Sequence, residues 1–144
     1  MRQKIVNRDR AGSAKAYCCA AATELMEFFY SVHYEIGTAL EDVVRADVLS
    51  RQQGAILWLI RSQGDGGSRV RRKDIEANVR RWFEMTSAAL SKSLRTMMRP
   101  PLELIEITED PRSGREKLVA LTPKGKAFLD AAGAQTGTVL AELI

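Results

Sequence analysis

Residues 86–125 read TSAALSKSLRTMMRPPLELIEITEDPRSGREKLVALTPKG, and the way this stretch divides decides the fold. Thr86 is a good helix N-cap, because its hydroxyl can accept an orphan amide of the first turn. Behind it Leu90, Leu94, Met97 and Met98 are spaced to share one face of a helix over Ser87–Met98. Ala88, Ser91, Lys92, Arg95 and Arg99 fall on the other face. Pro100 and Pro101 stop that helix abruptly, since proline lacks an amide and biases its predecessor away from helix. LELIEIT (102–108) and EKLVALT (116–122) then alternate in the manner of strands, with Ile105, Ile107, Val119 and Leu121 on the apolar positions. EDPRSGR (109–115), rich in turn formers and charge, is the tip of a long hairpin.

Upstream, Ser50 can cap a helix over Arg51–Ser62, whose AILWLI run is apolar nearly all round and so reads as buried, Trp58 included. Gly64-Asp65-Gly66-Gly67 is a loop, and Ser68–Val70 has room for a very short strand. A further helix over Arg71–Arg81 places Ile75 and Val79 four apart, with Phe83 continuing the stripe. Trp82 flanks the tight turn to Thr86, where packing is its simplest role. Before all of these, Leu25, Phe28, Phe29, Val32, Ile36, Leu40 and Val43 mark one face of a long helix from Ser13 to Arg45. That length predicts a partner along its side. Residues 1–12 lack periodicity and read as an arm. Thr122-Pro123 opens a last helix toward Ile144, weakened by Gly133 and Gly137.

The expected fold is therefore mainly α (α+β): a winged helix-turn-helix with a two- or three-stranded wing sheet and long terminal helices. Residues 50–121 form the lobe, while 13–49 and 122–144 form a helical dimerisation region, all within one compact domain. Charge agrees with a polyanionic partner. The net +4 arises between residues 51 and 126, where 16 Lys/Arg face 9 Asp/Glu, whereas both flanks are slightly acidic. By itself such an excess is equally well a solvated basic surface.

Shape distinguishes the two. The major groove of B-DNA is about 12 Å wide, enough for one helix with side chains. Small Ala and Ser residues let the Ser87–Met98 helix approach closely, so that Ser91, Lys92 and Arg95 can reach phosphates or base edges. Thr86 and Ser87 can offer hydroxyls to phosphates. On the wing, Asp110, Arg112, Ser113, Arg115 and Lys117 form the second candidate set. There Arg112 and Arg115 suit a minor groove, and Asp110 suits orienting one of them. Arg71, Arg72 and Lys73 are candidate phosphate contacts at the start of their helix.

The stretch from Val70 to Leu129 resembles the DNA-binding lobe of the MarR family of regulators. The most specific part is DPRSGREKLVALTPKG, with Asp110, Arg112 and Arg115 in a D-x-R-x-x-R arrangement and then Val119, Leu121, Thr122 and Gly125 as V-x-LT-x-x-G. The resemblance implies a homodimer whose first and last helices form the base and whose two recognition helices read a pseudo-palindromic operator in duplex DNA. It also implies a cleft between base and lobe for small aromatic or phenolic effectors. This chain departs from the pattern in Pro100-Pro101, where a charged residue and glycine are usual, and in Gly114, where an additional wing arginine is common. The segment after Pro123 is short for a dimer arm.

Other functions lack support in the chain. It has no apolar run of 18 residues to span a membrane and no h-region of a secretory signal. Two adjacent cysteines give no disulfide framework, so a reducing cytoplasm is the natural setting. No glycine-rich phosphate loop, nucleophile–base pair or metal-spaced ligand set appears, which argues against an enzyme, a cofactor or a metal. Some members of the resembled family sense peroxides through a cysteine near this position, and Cys18-Cys19 is the candidate; in AYCCAAA the pair also reads as small apolar filler. His33, the single histidine, is expected to pack or to line an effector pocket. The sequence reading is thus a dimeric regulator of transcription, a repressor relieved by a small molecule. The alternative is a winged-helix protein-interaction module, an antirepressor or adaptor with little specific DNA binding.

Overall fold

The computed structural model describes residues 2–64 and 69–143. Along the chain run α1 (Arg2–Ser31), a π-helical segment (Val32–Gly37), α2 (Thr38–Arg45), α3 (Arg51–Gln63), β1 (Arg69–Arg71), α4 (Arg72–Trp82), α5 (Ser87–Met98), β2 (Ile105–Glu109), β3 (Lys117–Leu121) and α6 (Pro123–Leu143). They fall into two compact units, one up to Ala39 and one from Leu40 to Glu142, where the sequence reading expects a single domain. Of the expected Gly64–Gly67 loop and Ser68–Val70 strand, Asp65 to Ser68 lie outside the described residues, as do Met1 and Ile144.

In the first unit α1 begins at Arg2, so residues 2–12 are helical rather than an arm. Arg, Gln and Lys favour helix without supplying an apolar stripe, which is why periodicity passes over them. The stripe expected on one continuous α-helix is interrupted by the π-helical turn at Val32–Gly37. Aromatic rings cluster there. His33 is half-buried and stacks on Phe29 at 5.5 Å, Tyr30 stacks on Tyr34 at 5.9 Å, and His33 meets Tyr34 edge-on at 4.9 Å. Much of this surface is uncovered within one chain: Tyr17 is 79% exposed and Phe28 67%.

The second unit has its own core. Ser50 caps α3 through a reciprocal box: its hydroxyl accepts from the Gln53 amide at 3.1 Å, and the Gln53 side chain accepts from the Ser50 amide at 2.9 Å. Thr86 caps α5 by accepting from the Ala89 amide at 3.1 Å. Ile56, Leu57 and Ile60 of α3 pack with Ile75 and Val79 of α4 and with Leu90, Leu94 and Met97 of α5. Each fully buried aliphatic side chain of this kind stabilises by about 1.5–3 kcal/mol. The sheet is antiparallel in the order β1-β3-β2, with Val70 opposite Val119 and Ile107 opposite Val119 on the other side. Because β3 is central, Ala120 is buried along with Val119 and Leu121, and the expected alternation is lost on that strand.

Helices α3, α4 and α5 with this sheet make a winged helix-turn-helix. α6 joins it through buried Leu129 and an Arg61–Asp130 ion pair at 2.7 Å. At its start the Thr122 hydroxyl donates to the Glu103 carbonyl at 2.6 Å and accepts from the Gly125 amide at 3.0 Å. Glycine at 125 makes room for the backbone here, because a Cβ would overlap the Leu104 carbonyl oxygen unless one of them shifted. Both tryptophans depart from expectation. Trp58 is only half-buried, with the Arg61 guanidinium 5.7 Å from its ring, and Trp82 is 50% exposed. Trp58 and Phe83 both pack against the edge of the core as partly buried rings, and Phe83 lies beneath Arg51.

Candidate nucleic-acid interface

The bounds of α5 match the sequence reading, and its faces separate as the spacing requires. Leu90, Leu94 and Met97 are buried, Lys92, Arg95 and Arg99 exposed, and Ser91 half-buried. Lys92 and Arg95 have no ion pair among the described residues. The hydroxyls expected at the helix start are partly occupied: that of Thr86 caps the helix, and Ser87 and Ser91 both accept from Arg72.

The wing tip is built by Asp110, though not by the route the sequence suggests. Asp110 is 7% exposed and its carboxylate accepts from the backbone amide of Arg112 at 2.9 Å, not from an arginine guanidinium. Its carbonyl accepts from the Gly114 amide at 2.9 Å and its own amide donates to the Glu116 carbonyl at 2.8 Å, closing the turn. The Ser113 hydroxyl accepts from the Glu116 amide at 3.1 Å, so it is structural too. Gly114 has φ +62°, a left-handed conformation that costs glycine little. Held by these bonds, Arg112 and Arg115 stand exposed, with no ion pair among the described residues.

Between α5 and the wing the cations behave differently. Glu116, half-buried, forms ion pairs with Lys73 at 2.7 Å and Arg71 at 3.4 Å, and Lys117 pairs with its cross-strand neighbour Glu109 at 3.4 Å. Arg71, Arg72, Lys73, Arg115, Glu116 and Lys117 line a recess of about 190 Å³. Arg72 is neutralised by Glu76, but Arg71, Lys73, Arg115 and Lys117 still outnumber Glu116 and Glu109, and that excess of positive charge suits a phosphate group. Glu116 is the residue that sequence reasoning missed. The signal lay in strand register: β1 pairs with β3 with Arg71 opposite Leu118, which carries the residue two before Leu118 to the start of α4. Cys18 and Cys19 are exposed free thiols on α1. Among the described residues no three His, Cys, Asp or Glu side chains gather to hold a metal, and no helix is long and apolar enough to cross a membrane.

The chain matches the family described as "Winged helix DNA-binding domain" over residues 49–125. No curated protein matches it. Among solved structures it is similar to a mutant MepR of S. aureus bound to an oligodeoxyribonucleotide, at 21% identity over 83% of this chain and 80% of that one, with a TM-score of 0.64. A mutant MarR from E. coli gives 18% identity over 83% and 81%, with a TM-score of 0.64. A putative MarR-like transcription regulator from Bacillus cereus gives 18% over 86% and 82%, with a TM-score of 0.59. The chain belongs to the family of winged helix DNA-binding domains, and its fold is that of the MarR-type regulators.

Proposed function

We propose that this protein is a homodimeric transcriptional regulator that occupies a pseudo-palindromic operator, a repressor relieved by a small aromatic effector. One observation carries the DNA reading. Lys92 and Arg95 on α5 and Arg112 and Arg115 on the wing are exposed and lack ion pairs among the described residues, while Arg71, Lys73 and Lys117 between them are paired. Cations without an ion pair thus stand on both elements whose shapes suit the two grooves, and among the described residues Arg69, Arg81, Arg99, Lys124 and Lys126 share that state elsewhere on the lobe. In this reading Arg95 and Lys92 work in the major groove, Arg112 and Arg115 at the minor groove, and Arg71, Lys73 and Lys117 take a backbone phosphate.

The dimer is supported by the exposed apolar surface of α1. Leu25, Met26, Phe28, Phe29 and Tyr30 spread over about 200° of the helix at roughly 100° per residue. An arc that wide is not hidden by a single neighbouring helix. The effector is supported by an apolar groove of about 230 Å³ lined by Leu40, Val44, Ala55 and Trp58, with the Arg51–Glu41 ion pair at its rim. It has room for a one-ring compound.

The test is selection of sites from a random duplex pool by the purified protein at two salt concentrations. Enrichment of a pseudo-palindrome is expected. Arg95→Ala should abolish the enrichment, since a good base contact is worth about 1–3 kcal/mol, and Arg112→Ala should weaken it. No enriched site even at low salt overturns the proposal.

A further inference from the structure

Arg72 begins α4 as one of three candidate phosphate contacts, but its guanidinium is turned inward. Its side chain is 23% exposed, and Nη1 donates to Glu76 Oε2 at 3.0 Å one turn along the same helix. Nη2 crosses to α5, donating to Ser91 Oγ at 2.7 Å and reaching the Ser87 carbonyl at 3.2 Å and Ser87 Oγ at 3.3 Å. Glu76 is fixed from its other oxygen by Arg80 at 2.9 Å. The planar fork of an arginine suits this double role, because one nitrogen can hold the carboxylate while the other serves the neighbouring helix. Apart from apolar packing and the turn through Phe83–Thr86, these are the side-chain hydrogen bonds described between α4 and α5.

We propose that Arg72 is a positioning residue for operator discrimination: it locks the first two turns of α5 against α4, so that Lys92 and Arg95 meet base edges at one fixed rotation of the helix. The apolar contacts of Leu90 and Leu94 with Ile75 and Val79 are non-directional and hold the helices together without fixing rotation. The polar fork supplies the direction. Ser87 and Ser91 are then anchors of the helix on the protein side. This proposal rests on the reading that α5 enters the duplex.

The experiment compares Arg72→Ala, Arg72→Lys, Ser91→Ala and the Arg72→Ala/Ser91→Ala double variant of the whole protein. Binding to the selected site and to random duplex is measured across a salt series. Amide hydrogen exchange of Ser87–Arg95 is followed in the DNA-free protein. Arg72→Ala and Ser91→Ala should each weaken site binding by about tenfold, comparable to one mismatched base pair, with random-duplex binding and the salt slope unchanged. The double variant should be no worse than Arg72→Ala, because that change alone already removes the bond to Ser91. Arg72→Lys should not rescue, since an ammonium offers a point charge and no fork. Exchange in α5 should rise in Arg72→Ala and in Ser91→Ala while that of α3 stays as it was.

A uniform loss on every duplex, with a salt slope shallower by about one, would make Arg72 a phosphate contact and overturn the proposal. Rescue by lysine or unchanged exchange in α5 would overturn it as well. Should wild type select no site, the regulator reading fails, and the exchange data still judge Arg72 on their own. If Arg72→Ala does not fold, Ser91→Ala, which keeps the Arg72–Glu76 pair, decides the matter.

Discussion

Leu94 and Phe28 both lie on helical faces that spacing marks as apolar, yet Leu94 is 1% exposed and Phe28 67%. The lobe from α3 to α6 encloses its apolar side chains within one chain, with three helices, a sheet and the start of α6 all contributing. The α1 unit has no such enclosure, and its large side chains stay open from Tyr17 to Tyr34. The same pattern in the sequence thus has two different physical destinations. One face is satisfied by folding. The other stays uncovered within the chain, and the core of the lobe draws no side chain from it.

Truncation at the two positions should separate these roles. Leu94→Ala is expected to lower lobe stability by about 2–5 kcal/mol in denaturant unfolding, the usual cost of a cavity in a closed core. Phe28→Ala should leave the lobe's transition in place and appear instead as a shift toward monomer in sedimentation. If Phe28→Ala destabilises the lobe as Leu94→Ala does, the division into a self-sufficient lobe and an association surface fails. A smaller loss, about 1–3 kcal/mol, is expected for Gly125→Ala, which drives a methyl into the Leu104 carbonyl where α6 leaves the wing. A thermal melt unchanged by that substitution would mean that the α6 junction yields more easily than the rest of the core.

The smallest effect is the most informative about α6. Nothing lies within 4 Å of a Cβ added at Gly133. In the isolated chain, Gly133→Ala should therefore stabilise by about 0.4–1 kcal/mol, because alanine costs less backbone entropy in a helix. The opposite sign, together with weaker self-association, would show that a second copy packs closely against that face.

Much of the lobe was legible because its signals are local. Ser50 and Thr86 cap the helices assigned to them, Pro100-Pro101 ends α5 at Met98, and the wing strands fall where the alternation lies. What escaped depends on contacts that sequence distance hides. Arg72 reaches residues 15 and 19 positions away, and Glu116 meets Arg71 and Lys73 only because β1 adds itself to the hairpin. A charged residue at a helix start reads as a phosphate contact until its own protein partner is known. The helical state of residues 2–12 escaped for another reason: polar residues carry helix propensity without a stripe that marks a face. Trp58 escaped because an all-apolar run does not say which of its members reaches the rim.

The left-handed turn at Gly114 restricts the routes by which this wing can change. Relatives of the resembled family commonly carry a further arginine there, but at φ +62° any side chain is strained even though the space around it is open. A third cation at the tip would therefore add roughly 1–2 kcal/mol of backbone strain to the wing. The bonds of Asp110 hold that backbone in place, so a new side chain costs the protein more at Gly114 than at the exposed positions of α5.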